Sequence, residues 1–471
     1  MQNLLLITTS LLLLFTNSYY SSYGVLIFAG FCFLSSIINK STLNITQISL
    51  SVLLVLSYIF SGIKGLSLEP TILLILLVSN ISSFNTDKKT IHKLAKWLTI
   101  IFSILAIGQV FISQFAYGSF INIFNTKEIY PNAFAAINLL FLPLNTKKYQ
   151  SLNILNILLS KSRIGLLVSG IYLFYKYIIE KKRSKAILIS SIILLIIPFS
   201  LITKTNQSVE FNSIDQRIEH WKNSPKLLNN IKSILVGYGA NSFSYIYPRV
   251  QNVPENQAPH SHNLLINFAI EYGVLFTLIF ILYVIKHTIS LDKEYKIALS
   301  LFFIHNLVDL NIQFPLTIFI ILVIINSQRK LAQNKNIMLI ATNSTLLLVL
   351  ILSLTNNFIY SHKDNLLLQN NSDLVKIYLD QNPLDSKQLL KIDESKYIKD
   401  VFKDNPYDID NLVLLYKHYP NVELNEEWLS NYKKWYILHS KYNLNYIHEK
   451  KTIDKLKEVY KNRDPEFVEN L

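Results

Sequence analysis

The residues best suited to chemistry gather in one polar stretch, 204–286. Two histidines stand two apart in Pro259-His260-Ser261-His262-Asn263, directly before an apolar run from Leu264 to Ile285. An imidazole titrates near working pH, so either ring suits a general base. The same pair suits a metal, but zinc usually takes three or four protein ligands. His220 is the only other histidine nearby and no carboxylate cluster completes the set, so no metal is expected. A structural His–Asn pair at a helix start is the remaining reading.

Three further positions bear on this stretch. Arg217 and Trp221 are spaced i, i+4 on a short amphipathic helix, which puts both on one face. Taken alone they read as a surface Arg stacked on Trp, or an Arg paired with the neighbouring Asp215 and Glu219. Arg163 follows Ser162 at the start of a later apolar segment. An arginine so close to a bilayer core snorkels to the interface or lines a cavity as an anion ligand. His305 and Asp309 sit four apart in another apolar segment, so a continuous helix carries both on one face. They make a functional intramembrane pair or a buried structural hydrogen bond.

The elements that must position these residues are membrane helices. The chain has 471 residues, 51% of them hydrophobic. Apolar runs recur from Leu4 to Phe358, each approaching the ~20 residues that span a bilayer core. Thirteen segments stand out: 4–16, 23–38, 45–62, 69–84, 97–115, 131–144, 150–160, 163–179, 186–203, 263–285, 296–311, 314–327 and 337–358. The seventh is short enough to be re-entrant or to fuse with the eighth. The pattern predicts an all-α polytopic membrane protein with about 12–13 transmembrane helices. Its expected divisions are a bundle over 1–203, a large extracytoplasmic catalytic loop over 204–262, further transmembrane helices over 263–358, and a soluble helical domain over 359–471. That last domain carries two helix-start signals, Asn382-Pro383-Leu384-Asp385 and Asn405-Pro406-Tyr407-Asp408, which suit helical hairpins of a degenerate repeat or, equally, an irregular helical domain. Residues 1–18 lack a basic leader and a clear cleavage site, so a retained first helix is expected rather than a signal peptide. The single cysteine, Cys32, lies in an apolar run and allows no intrachain disulfide.

Net charge is +14, but its distribution argues against nucleic acid. The tail carries 17 Lys/Arg against 19 Asp/Glu, so the excess sits on the membrane part. With a cytoplasmic N-terminus, the short inner loops hold eighteen Lys/Arg and the short outer loops hold four. That bias sets the orientation and places both the 204–262 loop and the tail outside the cytoplasm.

Taken together, the motifs resemble the O-antigen ligase superfamily, which includes O-antigen polymerases and bacterial O-linked protein oligosaccharyltransferases. Pro131-Asn132-Ala133-Phe134-Ala135 and Ser162-Arg163-x-Gly165 each open a helix. Arg217-x-x-x-Trp221 and Gly237-x-Gly239-x-x-x-Phe243 follow in the loop. His262-Asn263 precedes Glu271 and Gly273, and His305 to Asp309 lies before Pro315. Phe276 departs from the family's usual small residue or Tyr. The resemblance spans about 120–330.

The resemblance implies a glycosyltransferase at the outer face of the plasma (inner) membrane. It would move a glycan from an undecaprenyl-pyrophosphate carrier to a hydroxyl of a lipid, glycan or protein acceptor, as in lipopolysaccharide assembly. His262 would be catalytic, and Arg163 and Arg217 would hold the pyrophosphate without metal or other cofactor. His260, Asn263, Trp221, His305 and Asp309 would support them. Polymerase and protein-glycosylating members share these residues. A lipid-linked glycan transporter and a wall-assembly scaffold are the readings from other classes.

Overall fold

In the computed structural model every regular element among the described residues is helical. The structure describes residues 2–15, 22–39, 43–61, 64–81, 83–115, 131–160, 162–179, 213–247, 250, 260–327, 337–361 and 418–419. The expected segment 186–203 and the expected soluble domain lie outside them, apart from the 359–361 helix end and residues 418–419.

The first helices are α1 (Gln2–Phe15), α2 (Ser22–Ile38), α3 (Ile45–Phe60), α4 (Lys64–Asn80) and α5 (Lys88–Phe115). Next come α6 (Pro131–Phe141), α7 (Lys147–Leu159) and α8 (Arg163–Ile179). The polar stretch contributes α9 (Ser213–Asn223), a 3-10 turn at Ser224–Leu227, α10 (Ile231–Val236) and α11 (Phe243–Ile246). Then follow α12 (Leu264–Tyr272), α13 (Val274–Ile289), α14 (Lys293–Asn306), α15 (Pro315–Ile325) and α16 (Ile337–Ser361).

Local signals set several of these ends. Asn44 caps α3 by accepting from the Gln47 backbone N–H at 2.9 Å, while the Gln47 side chain accepts from the Asn44 N–H at 2.8 Å. Pro315 starts α15, where its missing N–H costs nothing. Every residue of α15 is buried. A helix apolar on all sides belongs at the centre of a bundle, and α1, α2, α4 and α14 pack around this one.

Buried amides tie the helices together. Asn80 and Asn343 exchange side-chain hydrogen bonds near 3.0 Å, and Asn343 also donates to the carbonyl of Cys32. Asn153 and Asn156 both donate to Asn138, and Asn145 and Asn153 both donate to Thr99. Such interhelical bonds contribute about 0.6 kcal/mol each in membrane bundles, rarely above about 1.7. Cys32 is fully buried, so it faces protein.

Several sequence-derived limits are corrected. The expected 263–285 helix is two, broken at Gly273, whose φ of 89° lies outside the helical region. The 296–311 segment ends its helix at Asn306, so Asp309 does not share a helix face with His305. The seventh and eighth segments stay separate helices, α7 ending at Leu159 and α8 starting at Arg163.

Among the described residues, one helix is long and apolar enough to cross a membrane alone, Lys88–Gly108. The apolar helices at Gln2–Leu14, Tyr23–Ile38, Ile45–Phe60, Val274–Ile289 and elsewhere are shorter. Helix α13 turns Leu275, Leu278, Leu282, Ile285 and Ile289 outward on one stripe.

Candidate active site

The two histidines lie in a turn pinned from three sides. Ser261 N–H donates to the Asn267 side chain at 3.1 Å, and the Ser261 carbonyl accepts from the Trp221 indole at 3.0 Å. Asn263 then caps α12, accepting from the Leu265 and Ile266 N–H groups at 2.9 and 3.1 Å. Its amide donates at 2.8 Å to the carbonyl of Leu307, just past α14. These contacts hold His262 at φ 53°, a left-handed backbone that costs a non-glycine residue about 1–3 kcal/mol.

Held this way, His262 Nδ1 lies 3.4 Å from Asp309 Oδ1. The Asp309 side chain is fully buried, whereas that of His262 keeps 20% exposure. Asp309 also accepts from the Leu310 N–H at 2.9 Å. Arg217 Nη1 donates at 2.7 Å to the carbonyl of Val308, the neighbouring residue. The His220 ring lies parallel to that of His262, centroids 5.9 Å apart, and edge-on to Tyr247. His260 packs edge-on against His262 at 4.4 Å. Burial, followed by the cationic forms of His262, Arg217 and His220, pushes the pKa of His260 down to about 3, against the opposing pull of Asp309. His260 is therefore neutral at physiological pH, and its Nδ1 accepts from the His262 N–H.

Of the expected site residues, His262, His260, Asn263, Trp221, Arg217 and Asp309 come together here. His305 is buried nearby, its Nδ1 3.2 Å from the Asn311 amide. Arg163 is partly exposed at the start of α8 and makes no side-chain contact with this group among the described residues. Helices α8 and α14 are antiparallel. Tyr172 and Lys176, late in α8, border one cavity with Asp292 and Ile297, early in α14. Arg163 and Asn306 therefore fall at the same pole, each about 14–20 Å along its helix from that cavity.

The sequence motifs also meet one another. Ser162 Oγ donates to Asn132 Oδ1 at 2.6 Å, and a Cβ on Gly165 would press on Ala135 at 2.7 Å. The polar stretch docks through its main chain. Tyr238 and Gly239 N–H groups donate to the carbonyls of Ile270 and Glu271 at 2.9 and 2.8 Å. The Glu271 carboxyl accepts from the Asn267 side chain and from the backbone N–H groups of Asn241 and Phe243. Cβ atoms on Gly237, Gly239 and Gly273 would collide with Glu271, Ser61 and Leu235 respectively.

Asp309 supplies the carboxylate that the local sequence lacks. His260, His262 and Asp309 each offer a ligand atom within 4.8 Å of the others, a set that suits a divalent cation. A cation there would compete with bonds already made. His260 Nδ1 is an acceptor and Asp309 Oδ1 is shared by His262 and Leu310. Sequence reasoning missed Asn267, which pins Ser261. Its spacing of four from Asn263 was the available signal.

Residues 151–281 match the family model described as O-antigen ligase. That match supports a likeness of this stretch to the O-antigen ligase superfamily. Family members are membrane-associated, glycosyltransferase- or ligase-like enzymes acting on lipid-linked glycans and acceptors. The ligase match takes in Arg163, Arg217, Trp221, both histidines of the turn and all three docking glycines. It stops before His305 and Asp309. No curated protein and no solved structure matches the chain.

Proposed function

We propose that this chain is a polytopic glycosyltransferase of the outer face of the plasma membrane. It moves a glycan from an undecaprenyl-pyrophosphate carrier to an acceptor hydroxyl without a metal. The observation that carries this reading is the His262–Asp309 contact beside Arg217. With Asp309 as acceptor, His262 keeps its proton on Nδ1, and Nε2 is free to take one. His262 Nε2 removes the acceptor hydroxyl proton as that oxygen bonds to the anomeric carbon. The bond from that carbon to the pyrophosphate oxygen breaks, and the oxygen departs with the electron pair. A single displacement inverts the anomeric centre. Arg217 and Arg163 balance the departing charge, because guanidinium forks bind phosphate bidentately and stay protonated.

The basic-residue bias supports a cytoplasmic N-terminus with the 204–262 loop and the tail outside. The acceptor separates ligase from polymerase and from protein glycosylation, which share this chemistry. The test is incubation of the purified full chain with a polyprenyl-pyrophosphate-linked oligosaccharide and candidate acceptors. Release of polyprenyl pyrophosphate with an inverted glycosidic linkage is expected. Release of glycan phosphate, or no turnover with any acceptor class, would overturn the reading.

A further inference from the structure

Helix α10 presents an apolar face that no described part of the protein covers. Ile231, Ile234 and Leu235 are 77%, 40% and 45% exposed. The helix is firmly made despite its six residues. Asn230 caps it by accepting from the Ser233 N–H at 2.8 Å, and Ser233 Oγ accepts from the Asn230 N–H at 3.3 Å. Ser233 faces inward and is buried. The helix packs against α3, α12 and α13, and Leu235 meets the backbone at Gly273. The outward face is thus not a frayed loop but a rigid surface.

What covers it is indicated by its neighbours. At the adjoining end of α3, Ile59 and Phe60 are about half exposed. At the adjoining start of α13, Leu275 and Leu278 are exposed as well, and the stripe continues through Leu282. Helix α10 packs against both α3 and α13, so its exposed face lies beside theirs. Lys232 lies between, its ammonium 5.7 Å over the Phe60 ring. Apolar side chains beside a lysine whose stem lies along them are the pattern of a helix at a membrane surface.

We propose that α10 is an interfacial foot, seated where the acyl chains meet the headgroups, and that it sets the height of His262 above the bilayer. The proposal rests on the membrane placement given under Proposed function. Helix α10 touches the far end of α12, at Ile270 to Gly273, while His262 precedes the near end. Nine helical residues measure about 13 Å. With α10 in the interface, His262 stands up to that distance further out, at the level of headgroup phosphates. A pyrophosphate on a membrane-embedded polyprenyl tail reaches that level, and so does an acceptor from the aqueous side.

The experiment is site-directed spin labelling of the full chain in liposomes. Cys32→Ala removes the buried native thiol. Ile231→Cys then carries a nitroxide on α10, and Leu282→Cys carries one midway along α13 as a reference. Collision with oxygen, which concentrates in lipid, is compared with collision with a water-soluble nickel chelate. The Ile231 label is expected to favour oxygen by a smaller margin than the Leu282 label. Preference for the chelate at Ile231, with oxygen preferred at Leu282, overturns the foot alone. A margin at Ile231 as large as that at Leu282 also overturns it, by placing α10 in the hydrocarbon core. Chelate preference at both sites overturns the membrane placement itself.

Discussion

The carboxylate of Asp309 and the imidazole of His262 meet at 3.4 Å across 47 residues of sequence. The contact sets the two turn histidines apart. His262 is partly exposed and oriented by a buried acid, whereas His260 is buried and neutral. His262→Ala should cost about 10²–10⁴-fold in transfer, the usual contribution of a general base, with donor binding kept. His260→Ala should cost less. A heavier loss at His260, measured with purified lipid-linked donor in detergent, would reverse the assignment.

Asp309→Asn tests the orienting role. An amide can donate to Nδ1 and thereby move the His262 proton to Nε2, the atom that must accept. Turnover should fall at least about 10²-fold with KM for the donor little changed. Partial recovery in Asp309→Glu would distinguish orientation from simple packing.

Arg217→Lys keeps the charge and removes the planar fork. The lysine cannot hold the Val308 carbonyl and bind phosphate with a second parallel bond. Losing one charge-assisted bond of about 1.5–3 kcal/mol predicts a drop of about 10–100-fold in kcat/KM. Turnover of Arg217→Lys equal to the native enzyme would remove the arginine from the clamp.

Activity should persist in chelator. The His260–His262–Asp309 group is close enough to hold a cation, which makes this comparison decisive. Activity abolished by EDTA and restored by one divalent ion would replace the arginine clamp with a metal mechanism.

Acid should loosen the site through His260. Its folded pKa, about 3, lies below the ordinary 6.5. The unfolded chain therefore binds a proton that the folded chain refuses across that window. The stabilising difference is fully present above 6.5 and is lost as pH falls toward 3, with a slope approaching about 1.4 kcal/mol per unit. The melting temperature of the native chain should fall between pH 6.5 and 4.5 more steeply than that of His260→Asn. Parallel curves would show that His260 does not carry the dependence.

The histidine turn, Arg217 with Trp221 and the helical architecture were legible because each has a local signature. Asp309 was named for the wrong reason. The expected 296–311 segment ran past the end of α14, where the Asn306 side chain accepts from the Asn311 N–H at 2.6 Å. No spacing rule anticipates that contact. Likewise, the polar residues around Ile231, Ile234 and Leu235 masked an apolar face too short for a helical period to stand out. The grouping of His260, His262 and Asp309 was not legible locally, because Asp309 reaches the histidines only through the fold.

Main-chain atoms make part of the joint between the polar stretch and the bundle, with the glycines at 237, 239 and 273 serving as clearances. A methyl group on any of the three glycines would open that joint. Kinship in this fold would then be written in the intervals between a few small residues and one His–Asn pair. Pairwise alignment would lose that signal long before a profile of spacings does.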